Sequence, residues 1–262
     1  MTADPRPMYD WYSRYYTAVS TSQANARYCQ QVYGENLCQH GFAEMADLDH
    51  LIEVSNIKTT DHVLDLGCGN GMITEYIADK TGAQVTGIDF IAHAIQDARQ
   101  RTEAKKDRLT FLEMDLAHLQ FEPRSFDVVV SIDTLYFNDI YETLTPMLPL
   151  FKSDGRLAVF FDQSCGPEEN LDIYPKESIL PDATDLAMAF HRLHIPYQTW
   201  DYTQAMLDHL RRRRSVLANL KAQFEAEGNQ FLYDNHLEEA DGIERAYLQG
   251  AGKRYLYLAS LP

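Results

Sequence analysis

The stretch VLDLGCGNG, Val63 to Gly71, decides how this chain is read. A run of apolar strand formers ends near Asp65, and glycines follow at alternate positions, Gly67, Gly69 and Gly71, before a helical pattern begins. Glycine lets the main chain adopt conformations that other residues resist and come close to a ligand. The spacing is G-x-G-x-G, not G-x-G-x-x-G, and an acidic residue stands two places before the first glycine. A carboxylate there suits a cationic or amine-bearing ligand better than a pyrophosphate, which prefers helix N-terminal N–H groups with no negative charge close by.

Working outward, β-branched or apolar runs alternate with helical stretches from Asp61 to Gln163, the pattern of an α/β fold with a parallel sheet and helices on both faces. Strands are expected at His62-Cys68, Gln84-Phe90, Leu109-Asp115, Phe126-Asp133 and Arg156-Gln163, with helices at Gly71-Lys80, Ala92-Ala104 and Ile140-Phe151. Upstream lies an aromatic, polar arm with helices expected near Met8-Ala18, Ser22-Tyr33 and Phe42-Ser55. Downstream, Ala183-Leu193 reads as a helix, and Tyr197-Tyr202 and Arg254-Leu261 as strands. Between those strands Met206, Leu207, Leu210, Leu217, Leu220 and Phe224 recur at helical spacing after Thr203, a candidate N-cap, and His236-Leu248 reads as a second helix. The chain is thus divided into an N-terminal arm or lid (1–55), a core (56–203), a helical cap (204–250) and a final core strand (251–262).

The whole chain has 262 residues, with 23 Lys and Arg against 39 Asp and Glu, a formal charge of -16. A polyanion would meet net repulsion, so nucleic acid is not an expected partner. Cys29, Cys38, Cys68 and Cys165 form neither a C-x-x-C pair nor a dense framework, which speaks against a zinc site and a disulfide-stapled fold. There is no apolar signal segment and no run of about 18 apolar residues. A cytoplasmic protein without a membrane partner is expected.

The second strand ends in Asp89, and a carboxylate at such a position can take both hydroxyls of a ribose. The third ends in Met114-Asp115 at the same edge. Carboxylates are rarely buried unpaired, and strand ends at this crevice offer Asp65 and Asp89 few partners besides a ligand.

From Asp61 to Gln163 the chain resembles the class I S-adenosylmethionine-dependent methyltransferases of small-molecule type. VLDLGCGNG is similar to their first motif, VTGIDF to the second, FLEMDL to the third and SFDVVVS to the fourth. LFKSDGRLAVFFD is similar to their segment before the fifth strand, with Ser153-Asp154 where that segment usually has Pro-Gly. The resemblance implies a Rossmann-like, seven-stranded, mostly parallel sheet with an antiparallel last strand. It implies S-adenosylmethionine as cofactor, with Asp65, Gly67, Cys68 and Gly69 around the methionine moiety. Asp89 would then hold the ribose, Phe90 pack on adenine, Asp115 and Leu116 meet the adenine edge, and Ser131 sit beside the sulfonium.

Tyr9, Tyr12 and Tyr16 share a helical face. Tyr12 and Tyr16 either stabilise a sulfonium by cation–π attraction or pack the arm onto the sheet. GENLCQHGF, Gly34 to Phe42, resembles a His-Gly-aromatic segment of small-molecule methyltransferases, which puts Gln39 and His40 near the methyl group. His40 is a candidate general base or else a helix-capping or hydrogen-bonding histidine. In SIDTLYF, Ser131 to Phe137, Asp133 could orient an amine and Tyr136 face the acceptor, or either could cap the helix near Ile140. That segment lacks the Asn/Asp-Pro-Pro-aromatic sequence of enzymes acting on DNA adenine or protein glutamine. Asp133 with Asp162-Gln163 is similar to the carboxylates of metal-dependent catechol-type enzymes, but the Asp-Asn pair is missing and no metal is expected.

Four consecutive arginines, Arg211 to Arg214, cannot share one helix face. Arg213 or Arg214 falls on the apolar stripe, to pair within the cap or to bind an anionic acceptor group. Trp200 is a candidate pocket wall. The acceptor expected is a small molecule, methylated at an amine nitrogen or activated carbon or, with more base chemistry, at oxygen. The alternatives are an RNA or protein methyltransferase, a cofactor-binding regulator without catalysis, and a nucleotide-dependent dehydrogenase.

Overall fold

The computed structural model describes residues 8–136, 139–166 and 169–261. Its centre is a sheet of seven strands among the described residues: β1 (His62–Leu66), β2 (Gln84–Asp89), β3 (Leu109–Glu113), β4 (Phe126–Ile132), β5 (Phe151–Ser164), β6 (Tyr197–Asp201) and β7 (Gly252–Ser260). The spatial order is β3-β2-β1-β4-β5-β7-β6, with β7 antiparallel to both neighbours and the other adjacent pairs parallel. Parallel neighbours need long crossovers, and these are helical. The order reverses at β1, so the crevice at its C-terminal end, between β1 and β4, is the switch point where ligands of such sheets collect.

Strand alternation divides the apolar core into two layers. Val63, Val85, Val128, Val130 and Phe160 face α3 (Met45–Val54), α4 (Met72–Thr81) and α5 (Ala92–Arg101), through residues such as Leu48, Leu51, Ile77 and Ile95. Leu64, Leu66, Val129, Val159 and Phe161 face α6 (Ile140–Met147) and α7 (Asp185–Leu193), through Leu144, Met147, Leu186 and Phe190. Buried runs such as Phe126–Ile132 are therefore apolar on both faces.

The remaining helices form a third layer. α2 (Gln23–Tyr33) packs on α8 (Thr203–Ala226), and α1 (Tyr9–Val19) lies against α5 and the glycine turn while its Arg14 and Tyr15 side chains reach Phe231 and His236 of α9 (Gln230–Leu248). Tyr15, Tyr28, Val32 and Tyr33 meet Leu217, Leu220, Phe224 and Leu232 there, all buried. The arm and the helices between β6 and β7 thus share a core, while α3 joins the sheet.

Element ends differ locally from expectation, for identifiable reasons. α6 stops at Met147, short of Phe151, and a 3₁₀ turn over Leu148–Leu150 containing Pro149 follows. A proline there has no N–H to extend the α-helical ladder. Phe151 instead pairs with Phe126, so β5 begins five residues early. Thr203 is the first helical residue of α8 and not its cap; its N–H donates to Asp201 Oδ1 at 2.7 Å. α9 starts at Gln230, six residues before His236, directly after the Gly228 turn.

Candidate active site

One cavity opens where the C-terminal ends of β1, β2 and β4 meet α1 and the loop between α2 and α3. Gly67, Cys68 and Gly69 form one wall, Asp89 and Phe90 the next, Asp115 and Leu116 the far edge, and Tyr12, Tyr16 and His40 the roof. The turn needs glycine for a steric reason. At Gly69 φ is +55°, and a Cβ would lie 2.6 Å from the Tyr16 hydroxyl, so the missing side chain is what lets α1 close over the crevice. Gly71 (φ +72°) precedes α4 and backs onto Phe111 in the core, on the side away from the cavity.

Asp89 is buried and bridges two segments: Oδ2 accepts from the Gly69 N–H and Oδ1 from the Ile91 N–H, both at 2.9 Å. Burial pushes its carboxyl up, against the backbone N–H bonds that favour the charge. A carboxylate has about four lone-pair sites, so acceptor capacity remains after these two bonds. Phe90 lies within ring-contact distance of Tyr9 (5.8 Å) and Tyr12 (6.3 Å). Asp115 caps a short 3₁₀ turn, accepting the Ala117 N–H at 2.9 Å. The Cys68 thiol is held protonated, burial being the main cause and the charges of Asp89 and Asp65 adding to it.

Three residues expected at this cavity do not line it. Asp65 lies behind the turn, where Oδ2 accepts the Thr74 hydroxyl at 2.6 Å. Burial pushes it up to about 7; Thr74 works against this and Asp89 adds to it. Ser131 is enclosed in the sheet, registered between Leu66 and Val159, so strand pairing keeps it from the crevice. Tyr136, 43% exposed, borders a separate shallow cleft with Phe42, Asp162 and Asp185, and its hydroxyl accepts the Asp162 N–H at 2.5 Å.

Asp133 reaches the cavity wall, but its charge is already matched. Arg254 on β7 grips both oxygens, Nη1 to Oδ1 at 2.5 Å and Nη2 to Oδ2 at 2.9 Å, and the Phe42 N–H donates to Oδ2 at 2.8 Å. These bonds tie the His40 loop to the sheet. Asp133 does not cap α6; Asp139 does, accepting the Glu142 N–H. Arg254 was missed in the sequence because it looks like an ordinary strand-end cation.

His40 does not cap α3, which Glu44 and Asp47 begin, the Glu44 N–H donating to Asp47 Oδ2 at 2.8 Å. Its ring is edge-on to Trp11, Tyr12 and Tyr15, at 5.1, 5.4 and 4.8 Å. Its Nε2 is 3.2 Å from Glu239 Oε1 on α9, a partner the sequence reading did not single out. Glu239 in turn pairs with Arg213, which is fully buried, while Arg214 pairs outward with Asp241 and Glu244. Trp200 packs beside His50 on the α3 side of the sheet and takes no part in the cavity. Among the described residues no three His, Cys, Asp or Glu side chains are grouped as metal ligands, and no helix is long and apolar enough to cross a membrane.

Residues 57–186 match the family model described as a methyltransferase domain. Methyltransferase GfsG of Streptomyces halstedii is 32% identical over 114 residues, 42% of this chain and 41% of that protein. The ubiquinone biosynthesis O-methyltransferase of Vibrio cholerae is 32% identical over 116 residues, 44% of this chain and 46% of that protein. The matches therefore span less than half the length of these curated relatives. In fold, the chain is similar to phosphoethanolamine N-methyltransferase 2 of Haemonchus contortus, solved with phosphomonomethylethanolamine and S-adenosylhomocysteine. The TM-score is 0.74 at 18% identity, over 95% of this chain and 60% of that one. The seven-stranded order, the glycine turn beside Asp89 and the family match agree, and residues 57–186 form a methyltransferase domain of the class I S-adenosylmethionine-dependent type.

Proposed function

We propose that this chain transfers a methyl group from S-adenosylmethionine to a small organic acceptor. The observation that carries the reading is the convergence on one cavity of the glycine turn, Asp89 and a roof of Tyr12, Tyr16 and His40. In this reading Asp89 takes the ribose hydroxyls with its spare lone pairs. Asp115 and Leu116 border the adenine, and Phe90 packs on it. The main chain of Gly67 and Gly69 holds the methionine moiety, with Cys68 against it and Asp65 bracing the turn from behind. Tyr12 and Tyr16 cover the sulfonium, where aromatic faces favour a cation.

Methyl transfer from a sulfonium is an in-line displacement with a neutral leaving group, so the protein has mainly to align nucleophile, methyl and sulfur and to exclude water. The roof helices suit both tasks. A roofed cavity and a charge of -16 favour a metabolite over RNA, and a cytoplasmic setting fits the four free cysteines. Methyl-labelled S-adenosylmethionine incubated with the full chain and a small-metabolite extract tests the reading. Label should pass to a low-mass product; cofactor binding without transfer would instead support a regulatory protein.

A further inference from the structure

The cavity has a one-sided charge lining. Asp89, Asp115 and Asp133 reach it, and among the described residues that line it there is no lysine or arginine. Arg254 meets Asp133 from β7 and Arg213 meets Glu239 from α8, both buried and both behind the wall, not on it. Asp89 and Asp115 accept main-chain N–H groups, and among the described residues no ion pair joins either to a lysine or arginine. His40 is the lining residue that could add a cation, and its Nε2 lies 3.2 Å from Glu239 Oε1, so a charge gained there would meet a carboxylate. The roof adds aromatic faces and no charge. Tyr12 and Tyr16 are stacked, with ring centres 6.0 Å apart at 28°. Burial holds both hydroxyls protonated, and the charges of Glu239, Asp89 and Asp133 add to this at Tyr12 as that of Asp89 does at Tyr16. An aromatic face is the negative side of a quadrupole, so it attracts a cation and repels an anion.

We infer that the cavity selects for positive charge throughout turnover, and that the methyl acceptor is a nitrogen with a free lone pair, converted to an ammonium-type cation. This rests on the methyltransferase reading above. S-adenosylmethionine enters with its positive charge on sulfur. The nitrogen lone pair forms the bond to the methyl carbon, and the carbon–sulfur bond breaks with its electron pair going to sulfur. Neutral S-adenosylhomocysteine is left, and the positive charge has passed to nitrogen. It has moved only from one side of the methyl carbon to the other, so the faces and carboxylates that attract the sulfonium still attract the product. A cleft lined by one sign of charge concentrates its field on the ligand. An oxygen anion would be repelled on entry, and its methylation would extinguish the cation that the lining stabilises. The nitrogen must arrive neutral, since a protonated one has no lone pair to give. Aza-aromatic rings and aryl amines meet that condition at neutral pH, and a flat ring matches a roof of tyrosines.

Charge selection is tested by calorimetry on the full chain with S-adenosylhomocysteine, neutral at sulfur, and with sinefungin, whose amine puts a cation where the methyl sulfonium stands. Sinefungin should bind about tenfold more tightly, within the range for a desolvated cation over an aromatic face. Tyr12→Leu should abolish most of that preference, and Tyr12→Phe, which keeps the face, should retain it. Equal loss of both ligands in Tyr12→Leu would make the ring a packing residue, and equal binding of both by the parent would overturn the selection for charge. The acceptor is tested with S-adenosylmethionine carrying an isotope-labelled methyl and a small-metabolite extract, the product being read by NMR as an N-, O- or C-methyl compound. Label should appear on nitrogen; label on oxygen or carbon, or on no metabolite, would overturn the acceptor assignment. A parent protein that binds neither sinefungin nor S-adenosylhomocysteine would sink the underlying methyltransferase reading instead.

Discussion

Asp65 sets a conflict between stability and charge at a single residue. Its carboxyl keeps its proton up to about pH 7 in the fold, because burial disfavours the charged form, whereas an exposed aspartate ionises near 4. The folded state therefore binds the extra proton, and stability is fullest below about pH 4 and declines as pH rises through about 7. Asp65→Asn removes this slope, and the free protein should gain on the order of 3 kcal/mol at pH 8 and little at pH 4. Urea midpoints at the two pH values check it; parallel pH dependence in parent and variant would contradict the assignment. The sequence alone offers Asp65 and Asp89 few partners other than a ligand. The structure supplies the Thr74 hydroxyl to one and the Gly69 and Ile91 N–H groups to the other. Such partners leave no mark in the sequence, because every residue but proline carries a main-chain N–H and threonine is common.

Among the elements, α1 depends on the turn it covers. Gly69→Ala would force a Cβ into the Tyr16 ring and hold a non-glycine residue at φ +55°, itself a cost of about 1–2 kcal/mol. The variant should bind S-adenosylhomocysteine about tenfold more weakly and show faster hydrogen exchange over Tyr9–Val19, with exchange in the central strands unchanged. Unchanged exchange in α1 would mean the helix does not rest on the turn. Periodicity showed that α1 and α2 are helices, and it put Tyr9, Tyr12 and Tyr16 on one face. What α1 packs against was hidden, since Tyr15 meets residues about 200 positions away in α8 and α9. The strands of the central sheet were legible for the opposite reason: burial on both faces makes each a continuous apolar run.

At the scale of the molecule, two long-range contacts reach the His40 loop: the ion pair of Asp133 with Arg254, whose carboxylate also accepts the Phe42 N–H, and the approach of Glu239 Oε1 to His40 Nε2 at 3.2 Å. Removing one partner of a buried pair strands the other charge, so Arg254→Met should cost about 3–5 kcal/mol. The double variant Arg254→Met/Asp133→Asn should recover much of that loss, and urea unfolding of both distinguishes a true pair from independent contributions. Equal destabilisation in single and double variants would contradict the pairing. These partners were illegible because each joins a loop near the crevice to an element far along the chain, and a lone arginine or glutamate on an amphipathic element reads as a solvated charge.

The most direct test of the whole reading is calorimetric titration of the full chain with S-adenosylhomocysteine and, separately, with NAD, alongside the Asp89→Asn variant. One molecule of S-adenosylhomocysteine should bind per chain, NAD should bind far more weakly, and Asp89→Asn should lose at least tenfold in affinity while unfolding cooperatively. Tighter binding of NAD, or no heat of binding with S-adenosylhomocysteine, would contradict it.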